Sequence, residues 1–240
     1  MTDSLAPTPT ILILVRHGQT ASNIHGLLHG QVDVPLTPLG IAQAHAVATR
    51  LGQEEEIAAL YSSPLERAQH TATIIGGVTG HTPLIHPGLL EIHFGEAEGL
   101  SVDEAWVRYP HLRPRDDDDG SGDLQWPGGE SRHGFNARVR ETIVAILRQH
   151  QGEKIVIATH GGVIGRAVCT LLADESADWL RYLIGNCSLT QFTWERPGEN
   201  PALVCLDDRA HLDGLTIESS TGGRLRPKVG DGGASMAYPR

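Results

Sequence analysis

The chain has 240 residues, 40% of them hydrophobic and 20% charged, and a formal net charge of −10. That length suits one large α/β domain with a full core, and no internal linker divides two compact halves. The acidic balance argues against nucleic acid or an anionic membrane as partner, since both demand extended basic surface, but it leaves room for local cations that hold a phosphate.

Residues 1–10 read as a loose arm, and residues 11–15 as a short buried strand, an unbroken apolar run rich in β-branched side chains. Thr37 and Pro38 open a helix as N-cap and first residue, and Ile41, Ala44, Ala48 and Leu51 then keep one apolar face. Residues 58–62 predict a second strand. Pro64 opens another helix, expected to stop at Gly76-Gly77, and residues 82–85 predict a third strand. Residues 89–99 are irregular. A long helix is expected over 131–150 with Ser131 as N-cap, then a buried strand over 155–159 and a helix from Gly161. Residues 189–194 and 202–206 suggest a hairpin around Pro197-Gly198.

Strands alternating with helices imply a three-layer α/β/α sandwich with a mainly parallel central sheet. Residues 97–126 break the rhythm and read as a cap or lid excursion on a single domain spanning 11–210. Residues 211–240 turn glycine-rich and read as a disordered tail. The three cysteines, Cys169, Cys187 and Cys205, have no zinc-type spacing, so neither a disulfide framework nor a structural metal is expected. The N-terminus has no basic leader, and residues 11–15 are too few to span a bilayer, so the expected location is cytoplasmic with no membrane partner.

Open α/β sheets bind ligands at the carboxyl ends of their strands. Arg16 and His17 follow the first strand, Ser62, Ser63 and Arg67 the second, and His160 and Gly161 the strand over 155–159, while Glu91 lies in the excursion after the third. Two histidines, two arginines and a carboxylate thus converge on one sheet edge. This set suits phosphoryl transfer through histidine. A neutral imidazole attacks phosphorus, cations and a helix N-terminus spread the charge, and a carboxylic acid protonates the leaving alkoxide.

The sequence resembles the histidine phosphatase superfamily, the group that includes cofactor-dependent phosphoglycerate mutases. The resemblance rests on Val15-Arg16-His17-Gly18-Gln19-Thr20 with Asn23, Gly30 with Asp33-Val34-Pro35-Leu36-Thr37, and Ser63-Pro64-Leu65-Glu66-Arg67-Ala68 with Thr71-Ala72. It continues through Leu90-Glu91, Phe94-Gly95, Glu98-Gly99, Pro127-Gly128-Gly129-Glu130-Ser131 and His160-Gly161. It implies a phosphoglycerate mutase-like fold, His17 as the phosphorylated nucleophile and Glu91 as proton donor and acceptor. Arg16, Asn23, Arg67, His160 and the Gly161 N–H would form the phosphate pocket. It implies no metal and no cofactor, because the arginines and His160 stabilise the charge that magnesium stabilises elsewhere.

Two positions depart from the family pattern. Ala97 stands where many members carry tryptophan or tyrosine, which either widens the cleft or is filled by Trp106. His29 precedes Gly30 where glutamine or threonine is common; it could still donate to a phosphate oxygen. Asn23 either touches phosphate or fixes a turn, and Glu98 reads as structural. His25, His45, His70, His133 and His150 read as surface or helix residues, and the aspartates at 116–119 as a solvated lid segment rather than a calcium loop.

The expected activity is metal-independent hydrolysis of small phosphomonoesters through phosphohistidine. The interval 101–126 carries more acid than base, which disfavours retention of a second phosphate and so ranks a phosphoglycerate mutase second. A silent phospho-ligand or protein-interaction module ranks last, because no member of the site is missing. Arg108 and Arg113 are candidates to reach a substrate carboxylate. The partner expected is a small phosphorylated metabolite, not nucleic acid, and a homodimer is possible.

Overall fold

The computed structural model describes residues 8–54, 56–113, 122–174, 182–196 and 199–215. The strands are β1 (Thr10–Arg16), β2 (Ile57–Ser62), β3 (Leu84–Ile85), β4 (Lys154–Thr159), β5 (Leu189–Trp194) and β6 (Ala202–Asp208). They form one sheet in the order β3-β2-β4-β1-β5-β6. The pairs β2/β3, β2/β4 and β1/β4 are parallel, whereas β5 runs antiparallel to β1 and β6 antiparallel to β5.

Both faces of the central strands are covered, which is why they read as unbroken apolar runs. Leu12 and Leu14 of β1 point into a core with Phe135, Val139, Ile143 and Val163, while Ile13 and Val15 meet Ala44, Val47, Leu51 and Ile75 on the other face. Each fully buried leucine, isoleucine, valine or phenylalanine among them contributes roughly 1.5–3 kcal/mol. Helices α2 (Pro38–Leu51) and α3 (Glu66–Thr79) cover one side, α5 (Arg132–Gln149) and α6 (Gly161–Leu171) the other, and two short helices, α1 (Ala21–His25) and α4 (Val102–Arg108), lie in the connections. Thr37 and Ser131 cap α2 and α5 by accepting the backbone N–H groups of Gly40 and Gly134.

Several expectations need correction. Helix α3 does not stop at Gly76-Gly77 but runs to Thr79 and ends at Gly80 in the left-handed region (φ 76°). Gly76 is needed for close approach instead, because a Cβ there would stand 2.2 Å from the His81 carbonyl oxygen. The third strand keeps only two of its four expected residues, since Pro83 has no N–H to pair. The arm gives up Thr10, which pairs with Trp194. At the other end His211 joins the body, its Nε2 lying 2.8 Å from the Cys187 carbonyl oxygen. His150, at the C-cap of α5 and so a helix-end residue as read, is also held at both ring nitrogens, with Nε2 2.8 Å from the Tyr61 hydroxyl and Nδ1 2.6 Å from a Glu153 oxygen. The aspartates at 116–119, the turn at Pro197-Gly198 and the tail from residue 216 lie outside the described residues, as do residues 1–7.

Within the 97–126 excursion, Ala97 is fully buried against Ala105, Tyr109 and Trp126, with Trp106 packed on the same cluster. The Trp106 and Trp126 ring centroids are 4.9 Å apart. The space left by the small residue is therefore filled by indole.

Candidate active site

The site grows from the pairing of β1 with β4. Arg16 lies opposite Thr159, so the next residues along, His17 and His160, leave the sheet side by side. The His17 N–H donates to the Thr159 carbonyl (2.9 Å), extending the ladder by one bond. The two imidazole centroids are 5.2 Å apart with the rings inclined at 60°. Both side chains are buried.

Their nitrogens are differentiated by their partners. His17 Nδ1 is 2.7 Å from the Gly18 carbonyl oxygen, which can only accept, so Nδ1 carries the proton and Nε2 keeps its lone pair. His160 Nε2 is 2.7 Å from the Ser63 hydroxyl, while its Nδ1 is buried with no hydrogen-bond partner. Burial first, then Arg16 and Arg67, holds the His17 pKa well below the ordinary imidazole value. Burial, then Arg67, does the same for His160. Both rings are thus neutral near pH 7.

Positive charge comes from three segments, two of them as guanidinium groups. Arg16 closes β1; one of its terminal nitrogens donates to the Ile184 carbonyl, and its Nε is buried with no partner. Arg67, on the first turn of α3, is 1% exposed. Its Nη1 donates to Val32 O (3.0 Å) and its Nη2 to Gly30 O (2.6 Å). These bonds tie the guanidinium to the 29–32 loop and leave other N–H groups for an anion. Helix α6 adds the positive end of its dipole, since it begins at Gly161 with His160 as N-cap.

Glu91 reaches the same place from the irregular segment after β3. Its Oε1 accepts from the Ile92 N–H and its Oε2 from the Gly162 N–H, both at 2.9 Å. Burial raises its pKa despite these donors and the nearby Arg67 and Arg16. A bound phosphate dianion would raise it further.

Asn23 has a structural job first. It forms a capping box with Thr20 at the start of α1, its Oδ1 accepting from the Thr20 N–H at 3.1 Å. Its amide N–H groups are the part left to meet an anion. Asn186 carries no signal in the sequence, yet its Nδ2 donates to both the His17 carbonyl and Asn23 Oδ1 at 3.0 Å. Gln31 is equally silent there, and its Nε2 donates to the Glu91 carbonyl (3.0 Å). Neither position stands at a telling spacing, because their partners are distant in sequence.

Glu98 is structural as expected, accepting from the N–H groups of Gly30, Gln31 and Phe94. His29 lies beside Arg67, its backbone carbonyl accepting from Nη2 at 3.4 Å, and burial followed by Arg67 lowers the pKa of its ring against a backbone contact with Val32. Arg108 and Arg113 stay exposed on the excursion, the Arg108 guanidinium 5.6 Å from the centre of the Tyr109 ring. Among the described residues, no hydrogen bond or ion pair brings either into the buried cluster, and no group of three His, Cys, Asp or Glu side chains stands close enough to hold a metal ion.

Comparison with known proteins matches residues 12–208 to the model of the histidine phosphatase superfamily, branch 1. A metal-independent phosphoserine phosphatase of Arabidopsis thaliana is 36% identical over 70% of this chain and 71% of its own length. A probable phosphoglycerate mutase of Yersinia pestis is 33% identical over 83% of this chain and 94% of its own length. Among solved structures, a phosphoserine phosphatase of Entamoeba histolytica in complex with 3-phosphoglyceric acid superposes with a TM-score of 0.72. It is 30% identical over 85% of this chain and 99% of the other. With the match extending over all six strands but the first two residues of β1, the chain belongs to the histidine phosphatase superfamily, branch 1.

Proposed function

We propose that the protein is a metal-independent phosphatase that hydrolyses small phosphomonoesters through a phosphohistidine at His17. The observation that carries this reading is the Nδ1 contact with the Gly18 carbonyl, which leaves a neutral Nε2 lone pair in a pocket flanked by Arg16, Arg67 and His160. In the first step Nε2 attacks phosphorus as the P–O bond to the leaving group breaks, and protonated Glu91 gives its proton to the departing oxygen. Arg16, Arg67, Asn23, neutral His160 and the Gly161 N–H take the transferring oxygens. In the second step Glu91 accepts a proton from water, the water oxygen attacks phosphorus, and the P–N bond breaks to restore His17. The arginines supply the positive charge that a metal would otherwise bring.

His29 is assigned a phosphate oxygen, since its ring stands half-buried beside the Arg67 guanidinium. Arg108 and Arg113, exposed on the excursion rather than in the buried cluster, are the candidates to meet a carboxylate on the substrate. Relatives named for phosphoserine and bound to 3-phosphoglyceric acid support carboxylate-bearing esters as the substrate class. The unpaired Cys169, Cys187 and Cys205 agree with a cytoplasmic address. No helix among the described residues is long and apolar enough to cross a membrane.

The test is phosphate release from phosphoserine, 3-phosphoglycerate and sugar phosphates with excess chelator, comparing wild type with His17→Ala. Turnover that survives chelation and vanishes in the variant is expected; strict magnesium dependence or an active variant refutes the mechanism. The mutase relative keeps a second reading in play. Interconversion of phosphoglycerates with catalytic bisphosphate, faster than phosphate release, would favour it.

A further inference from the structure

Glu91 sits on a segment with no regular secondary structure beyond one 3₁₀ turn at Pro87–Leu89, so neither a helix nor a sheet ladder satisfies its backbone. Side chains take over that task. Four consecutive carbonyls are bonded this way: Gly88 and Leu90 by Arg138 Nη1 at 3.0 and 2.8 Å, Leu89 by the Thr159 hydroxyl at 2.9 Å, and Glu91 by Arg138 Nη2 at 3.4 Å and by Gln31.

Arg138 accounts for three of the four. It projects from α5, and its remaining donors form a two-point pair with Glu130, Nε to Oε1 at 2.9 Å and Nη2 to Oε2 at 2.6 Å. All five guanidinium N–H groups are therefore engaged, in a planar fork that lysine cannot reproduce. Its side chain is 24% exposed and that of Glu130 21%, so the pair is largely shielded from competing water. The loop is also seated directly on α5, because a Cβ at Gly88 would stand 1.9 Å from the Thr142 hydroxyl oxygen.

Resting on the assignment of Glu91 as proton donor, we infer that Arg138, oriented by Glu130, is the positioning residue that aims the Glu91 carboxyl at the leaving-group oxygen. Arg138 touches neither the carboxyl nor the phosphate pocket. It acts by fixing the backbone from which the carboxyl hangs. A displacement of about 1 Å in a reacting group costs on the order of 100-fold in rate.

The consequence is selective. An alkyl phosphate needs its leaving oxygen protonated, whereas p-nitrophenyl phosphate expels a stable phenolate and does not. The experiment measures kcat/KM, which reports the first phosphoryl transfer, for phosphoserine and p-nitrophenyl phosphate on the same preparations. The variants are Glu91→Gln, Arg138→Lys, Arg138→Gln and Glu130→Gln. Because the aryl-to-alkyl ratio is taken within one preparation, any loss of folded protein cancels.

The ratio is expected to rise on the order of 100-fold or more in Glu91→Gln and roughly 10- to 100-fold in both Arg138 variants. A smaller rise is expected in Glu130→Gln, which keeps one acceptor. Adding Arg138→Gln to Glu91→Gln should raise the ratio no further. A ratio that shifts in Glu91→Gln but stays at the wild-type value in the Arg138 variants overturns the inference alone. A ratio unmoved in Glu91→Gln overturns the acid assignment itself, and the positioning role with it.

Discussion

Replacing Glu91 by glutamine removes the transferable proton while almost keeping the volume, which isolates the acid from the shape of the pocket. Both carboxyl oxygens accept a backbone N–H at 2.9 Å, one from Ile92 and one from Gly162. A glutamine has a single acceptor oxygen, so one of these buried N–H groups must face an NH₂ and lose its partner. That costs about 1–3 kcal/mol of stability. The catalytic loss is larger. A general acid contributes about 10²–10⁴ in rate, or roughly 2.7–5.4 kcal/mol of transition-state stabilisation. The assay is kcat/KM on phosphoserine across pH. Wild type should lose activity on the alkaline side as Glu91, raised by burial, gives up its proton; the variant should be slow throughout and lack that limb. The stability difference should depend on pH as well. Between the unfolded-state pKa and the raised folded-state pKa the folded chain keeps a proton that the unfolded chain has released. Wild type therefore loses stability as pH rises through that window, and the deficit of Glu91→Gln shrinks across it, levelling off above the folded-state value. Wild-type rates in the variant, or an unchanged alkaline limb, would refute the reasoning.

Further predictions concern the imidazoles, the phosphate arginine and Asn186. His17 and His160 both sit below the ordinary 6.5, chiefly through burial, so between their folded-state values and 6.5 the unfolded chain binds more protons. Their stabilisation is complete above 6.5 and is lost as pH falls through the folded values; thermal denaturation should show this decline, flattened in the double variant His17→Gln, His160→Gln. Arg67→Lys should weaken inhibition by inorganic phosphate by tenfold or more (~1.4 kcal/mol or above), because lysine cannot serve Val32 O, Gly30 O and an anion together. Asn186→Ala removes two hydrogen bonds, to the His17 carbonyl and Asn23 Oδ1, and should lower stability by roughly 1–3 kcal/mol. Its kcat should fall more than its KM rises, and Asn186→Ser should recover part of the loss.

The sequence made the layered architecture legible because period and punctuation are local. Residues 11–15 and 155–159 are apolar on both faces, and Thr37-Pro38 and Ser131 are cap signals that the structure uses as read. The polar residues just beyond each strand were legible too, which put His17, Arg67 and His160 at one edge. Strand order was not, so the adjacency of β1 and β4 that sets the imidazoles 5.2 Å apart had to come from the fold. The Gly76-Gly77 pair misled because close packing under β2 and the return of the chain at His81, rather than helix termination, require the glycine. Helix α4 carried a readable signal, since Ser101 and Glu104 form a capping box. Arg138, Gln31 and Asn186 carried none. Each bonds the backbone of an irregular loop far away in sequence, and neither hydrophobic period nor motif spacing registers a side chain whose partner is a distant carbonyl.

The central claim is covalent, and trapping the intermediate tests it most directly. The enzyme would be mixed with a phosphomonoester in excess chelator, denatured in alkali to preserve the phosphorus–nitrogen bond, and mapped by peptide mass spectrometry. One phosphoryl group on His17 is predicted in wild type, accumulating further in Glu91→Gln on an aryl phosphate and absent from His17→Ala. A label on another residue, a label that persists in His17→Ala, or turnover with none at all would contradict the account.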